Sequence, residues 1–174
     1  ELLSCWPQAT DYMQARGRTD VVDVGIAVAD ACFYDGRPKV EGTVAYMPRR
    51  GRELVTACRD AVPAARFVAI DGLPEAAVAA RMHGAEIYLA TSVGEWFGLP
   101  ALEAMAAGCV VLSVPVLGGT DYLDDGRNCR VAAPEELPAA LAALVAVGSR
   151  AERARMRAAA RATAGRFRMR VVTE

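Results

Sequence analysis

The run Cys109-Val110-Val111-Leu112-Ser113-Val114 is apolar at every position but Ser113, and it directly follows Gly108, a residue suited to closing a helix. A strand with one face in water alternates apolar and polar side chains. A strand that is apolar almost throughout is covered on both faces. Covering both faces of a sheet takes helices on both sides, and helices inserted between strands make those strands parallel. This run therefore predicts the central strand of a parallel α/β sheet.

The surrounding rhythm agrees. Val40–Met47, Arg66–Ile70 and Glu86–Ala90 read as strands, with Asn128–Ala132 as a last short one. Arg52–Ala61, Pro74–His83 and Pro100–Ala107 read as the helices between them, two of them with Pro at the start, where its missing N–H costs nothing. Pro134–Val147 places Leu137, Leu141 and Leu144 on one side, and 150–164 reads as a further helix. The prediction is a Rossmann-like three-layer α/β/α domain with a mostly parallel sheet over 39–165. Residues 1–38, with a strand candidate at Val21–Val28, are expected as a strand and loop packed on its edge, or as a linker from a missing domain. Residues 166–174 are expected as a basic C-terminal tail.

Composition narrows the function classes. With 20 basic and 21 acidic residues among 174, the chain has no overall bias toward nucleic acid. Five cysteines without CxxC spacing, together with one histidine, argue against a clustered metal site and for reduced, mostly buried thiols of a cytoplasmic protein. No apolar run reaches membrane-spanning length, and no signal peptide is visible. The chain opens on Glu rather than Met and is expected to be a piece of a longer protein. Its arginine-rich end (Arg150 to Arg170) has three readings: a solvated helix end, a seam with another domain, or peripheral contact with the inner face of an acidic membrane.

Polar residues gather where strands give way to helices. Ligands of open α/β sheets bind beyond the carboxyl ends of the strands. There, Glu95 stands in a loop between Gly94 and Gly98, and Glu103 falls in the first turns of the helix opened by Pro100. Glu103 has two readings: a carboxylate favoured by the helix N-terminus, or an acceptor for the vicinal hydroxyls of a ribose. Helix capping accounts poorly for Glu95. Gly118-Gly119-Thr120 either presents amide N–H groups to a phosphate or is an ordinary turn. Arg49 and Arg50 follow a strand end, where guanidinium groups grip a diphosphate or simply solvate a turn. Trp96 and Phe97 read first as a packed loop anchor, and His83 as a helix-end cation or surface residue. Neither GxGxxG nor GxxxxGK[ST] occurs, which argues against ordinary NAD-binding and P-loop chemistry.

The run Glu95-Trp96-Phe97-Gly98-Leu99-Pro100-Ala101-Leu102-Glu103, continued through Gly108, Val110-Val111 and Gly118-Gly119, resembles the C-terminal domain of GT-B glycosyltransferases of the large retaining glycosyl transferases group 1 family. The resemblance covers about residues 39–165. It implies that Glu103 binds the donor ribose and that Glu95 lies near the donor sugar or its leaving phosphate. It places Phe97, Gly98 and Leu99 along the sugar and diphosphate, and Arg49 or Arg50 on the diphosphate. Gly118, Gly119 and Thr120 complete the expected donor site. Trp96 departs from the family, which usually has glycine there. The implied reaction moves a sugar from a nucleoside diphosphate to a glycan, lipid-linked or small-molecule acceptor, with no metal or further cofactor and with a missing N-terminal domain forming the other wall of the cleft. A sugar-nucleotide epimerase and a non-catalytic nucleotide-binding domain are the competing readings.

Overall fold

The computed structural model describes residues 1–118 and 121–168. Its main sheet has five parallel strands, β3 (Val40–Tyr46), β4 (Arg66–Ala69), β5 (Ala85–Ala90), β6 (Val110–Ser113) and β7 (Arg130–Val131), in the order β4-β3-β5-β6-β7. The central register sets Ala45 beside Tyr88 and Tyr88 beside Val111. Between the strands run α2 (Arg52–Ala61), α3 (Glu75–Gly84) and α4 (Leu99–Ala106), followed after β7 by α5 (Leu137–Val145) and α6 (Arg150–Ala164).

The period-2 geometry of the strands divides the core. Val44, Ile87, Leu89, Val110 and Leu112 point to one face, where they meet Val55 and Cys58 of α2 and Leu137, Leu141 and Leu144 of α5. Ala45, Tyr88 and Val111 point to the other, against Met82 of α3, Leu102 and Met105 of α4, and Ala160 and Ala164 of α6. All four β6 residues are buried, including Ser113, whose hydroxyl donates to the Val114 carbonyl at 2.7 Å. Helices on both faces of a parallel sheet are what the Cys109–Val114 run predicted.

The N-terminal region differs from its expectation. Leu2–Ser4 (β1) and Val21–Asp23 (β2) pair in parallel across helix α1 (Pro7–Gln14) as a two-stranded sheet of their own, and neither strand extends the edge of the five-stranded one. The sequence reading missed α1 because the helix has no apolar stripe; Thr10 is its one buried residue. At the other end, Arg168 pairs with Asp30 at 2.7 Å and lies over Phe33, tying the end of the described chain back to the segment before β3. Four cysteines are buried as expected, whereas Cys5 is exposed.

Candidate functional site

The strand order reverses between β3 and β5, so the helices after these two strands lie on opposite faces and their loops splay apart at the carboxyl ends. Such a switch point is where an open α/β sheet has room for a ligand. Two contacts hold the loops here. Thr91, buried at the end of β5, donates its hydroxyl to the Arg50 carbonyl at 2.9 Å. Gly51 starts α2 with φ +69°, and a Cβ there would sit 2.3 Å from the Thr91 carbonyl oxygen. Only glycine allows both that backbone angle and that approach.

This junction brings Arg50 and Glu95 together. The Arg50 guanidinium lies 3.6 Å from the Glu95 carboxylate, both partly exposed, so the pair is loose and open to exchange. Beneath them is a cavity of about 50 Å³ lined by Met47, Thr91, Glu95, Gly98, Ser113 and Val116 among others. Arg49 goes elsewhere. It faces Asp71 beyond β4 at 3.5 Å, exposed to solvent, so the structure separates two arginines that the sequence left equivalent.

The loop after Glu95 is fixed from below. Gly98 opens α4 with φ +79°, and the Tyr122 hydroxyl reaches the Phe97 and Gly98 carbonyls at 2.8 Å each. A Cβ on Gly98 would come within 2.8 Å of that hydroxyl oxygen. Phe97 packs on Tyr122, ring centres 5.0 Å apart, while Leu99 is partly exposed at the head of the helix. Burial pushes the Tyr122 phenol far above its ordinary range, so it acts as a neutral donor here.

Glu103 lies one turn into α4, half-buried, and among the described residues no cation or hydrogen-bond donor meets its carboxylate. Burial raises its carboxyl above the ordinary value, and Glu75 at the start of α3 adds to the shift. A carboxylate kept partly from water and opposite a like charge is a costly feature for a fold to keep. Accepting hydrogen bonds from a ligand would offset that cost.

The expected phosphate cradle is altered. The Gly118 N–H donates to the Trp96 carbonyl at 2.5 Å, so it stabilises the loop and does not face an anion. Glycine is required there for a different reason: a Cβ would meet the Trp96 carbonyl at 2.8 Å and the Trp6 ring at 3.0 Å. Gly119 and Thr120 lie outside the described residues. His83 is buried rather than on the surface, its Nε2 3.1 Å from the Cys32 carbonyl and its Nδ1 3.4 Å from Asp35.

Sequence reasoning missed Gly51, Thr91 and Trp6. Gly51 follows Arg49-Arg50 directly before a helix, a signal that could have been read. Trp6 had none, since its indole N–H donates to Asp121, 115 positions away, at 3.3 Å.

The sequence model of a family described as glycosyl transferases group 1 matches residues 44–148. No curated protein matches the chain. Among solved structures, Anabaena HepE in complex with UDP and glucose aligns with TM-score 0.71 at 13% identity, over 95% of this chain and 58% of that one. The pneumococcal O-GlcNAc transferase GtfA, in complex with UDP and GlcNAc, aligns with TM-score 0.67 at 19% identity, over 95% of this chain and 42% of that one. The C-terminal domain of the group 1 family protein LpcC from Francisella tularensis aligns along its whole length, 100%, and over 83% of this chain, with TM-score 0.68 at 14% identity. These likenesses show a shared fold, and this chain spans less than two thirds of the two longer proteins.

Proposed function

Since this chain belongs to the glycosyl transferases group 1 family, we propose that it is the donor-binding half of a glycosyltransferase that moves a sugar from a nucleoside diphosphate to an acceptor hydroxyl with retention of configuration. The observation that carries this reading is the meeting of Arg50 and Glu95 at the switch point of the sheet, held there by Thr91 and Gly51. The UDP complexes of structurally similar enzymes support it.

In this reading the residues divide the donor between them. Glu103, with no partner among the described residues, accepts the two ribose hydroxyls. The diphosphate draws Arg50 away from Glu95, and the released carboxylate turns to hydroxyls of the sugar. When the bond between the anomeric carbon and the phosphate oxygen breaks, negative charge collects on the leaving diphosphate. The Arg50 charge is stronger against it in the transition state than against the ground state. The acceptor hydroxyl forms the new bond to the anomeric carbon and passes its proton to the leaving diphosphate oxygen, and a second domain holds that acceptor in register. Acceptors in glycan or glycolipid synthesis fit this chemistry. The isolated chain is expected to bind donor weakly and to transfer no sugar.

The test is calorimetric titration of the chain with UDP, GDP and ADP. Replacing Glu103 with Ala removes two charged hydrogen bonds, each worth roughly 1.5–3 kcal/mol, and should lower nucleotide affinity at least tenfold with the fold intact. Unchanged affinity in E103A would refute the ribose role. If the parent chain bound none of the three diphosphates, the donor-binding reading would fall. Product analysis with the second domain restored separates transfer from epimerisation.

A further inference from the structure

The two tryptophans of the chain, Trp6 and Trp96, meet edge to face, with ring centres 5.7 Å apart and planes at 78°. Trp6 is itself held. Its indole N–H donates to one oxygen of Asp121 at 3.3 Å, and the Gln8 amide donates to the other at 3.2 Å. Trp96 is fixed through its backbone as well. Its N–H donates to the Glu95 carboxylate at 3.1 Å, and its carbonyl accepts the Gly118 N–H. Yet the Trp96 residue is 63% exposed.

An indole whose only task was to anchor its loop would bury its rings, because apolar surface gains by leaving water. This one is immobilised by a neighbour on its edge while most of it remains in solvent, directly after the carboxylate of the donor site. A pyranose is matched to such a surface. One of its faces presents C–H bonds that pack flat on an aromatic ring, and its rim carries hydroxyls that a carboxylate accepts. Amphipathic aromatic rings with few rotatable bonds make contact area at low entropic cost.

Resting on the donor reading above, we infer that Trp96 is the stacking wall for the pyranose ring of the donor sugar and a specificity determinant of this site. Glu95 takes hydroxyls on the rim of that ring, and Trp6 is a positioning residue that holds the indole in place.

The experiment titrates the chain with a nucleoside diphosphate and with the matching nucleoside-diphosphate hexose, for the uridine, guanosine and adenosine series, and compares W96A, W96F, W6A and W6F. Melting curves check that each variant is folded, which the exposure of Trp96 favours. In W96A the diphosphate should bind as in the parent, whereas the hexose conjugate weakens about three- to tenfold. W96F should recover most of that loss. W6A should lose part of the same sugar-dependent increment with diphosphate affinity unchanged, and W6F should restore it. In W6F, Trp96 is the sole indole, and its emission should shift saturably with the hexose conjugate and not with the diphosphate alone. Equal affinities of W96A and parent for the hexose conjugate, with diphosphate binding intact, would overturn the stacking role and leave the donor reading standing. Loss of binding to a free glycan in W96A, with conjugate binding unchanged, would also overturn it by moving the indole to the acceptor side. If the parent chain binds no diphosphate at all, the donor reading and this inference fall together.

Discussion

The two ends of the five-stranded sheet use the same residue types to opposite effect. At the amino ends of β3 and β5, Arg153 is 3% exposed and meets Glu86 at 3.0 Å, while its remaining N–H groups reach Ser149 and the carbonyls of Leu144 and Ala146. The second Glu86 oxygen accepts the Gly42 N–H at 2.8 Å, at the irregularity in β3. Lys39, half-buried, donates to the Met82 and Ala107 carbonyls at the C-terminal ends of α3 and α4. Burial holds its ammonium below the ordinary lysine range. At the carboxyl ends, Arg50 and Glu95 are loose and partly exposed, and Glu103 has no partner among the described residues. A charge whose hydrogen bonds are all made within the fold serves the fold. A charge left incomplete at a switch point is available to a ligand.

The largest test of this contrast is Arg153→Met. Removing Arg153 leaves the buried Glu86 carboxylate only Arg157, 3.8 Å away, and the Gly42 N–H, and should cost up to about 3–5 kcal/mol in urea unfolding, with nucleotide affinity of the folded protein unchanged. Stability within ~0.5 kcal/mol of the parent would show that the amino end is not the structural one.

Gly51→Ala probes the junction itself. The left-handed backbone costs a non-glycine residue about 1–2 kcal/mol, and the added Cβ must also push against the Thr91 carbonyl. Both melting temperature and diphosphate affinity should fall together. A variant that lost stability alone would separate the junction from the site.

The arginine pair sharpens the contrast within the carboxyl end. Arg50→Ala should weaken diphosphate binding relative to the bare nucleoside, by about 1.5–3 kcal/mol, and flatten its dependence on salt. Arg49→Ala should change stability and affinity by no more than ~0.5 kcal/mol, because its exposed pairing with Asp71 is worth little. Equal losses in the two variants would place both guanidinium groups on the ligand.

The smallest effect is a sign. Because burial and Glu75 raise the Glu103 carboxyl in the fold, its proton is held more tightly there than in the unfolded chain. Its contribution to stability is full below the unfolded value and is lost as pH rises through the folded one. Glu103→Gln should therefore melt slightly higher than the parent at pH 7, and this advantage should vanish as pH falls below the ordinary carboxylate range, while its nucleotide affinity is expected to fall. A parent that melts higher than E103Q at pH 7 would mean that the carboxylate has a cation within the fold.

The covered faces of the sheet were legible in the sequence because burial acts on contiguous residues. Val110 to Ser113 lie on both core faces in one short run, and α2 and α6 span the expected 52–61 and 150–164. The spacing of Glu95 and Glu103 around Gly98-Leu99-Pro100 was equally local, since one loop and one helix carry both. What joins separate segments was not legible. That Arg50 rather than Arg49 meets Glu95 depends on how β3 lies beside β5, and that the Gly118 amide is occupied depends on the path of the Trp96 backbone. The Trp6–Trp96 contact requires β1, α1 and β2 to form a unit of their own beside the Glu95–Gly98 loop. Sequence by itself determined the α/β alternation, the buried strand and the identity of the carboxylates, because each is written in neighbouring residues. The tertiary structure decided which charge has a partner and which is left open, because pairing at a few ångströms between distant segments is set by strand order and loop path rather than by residue type.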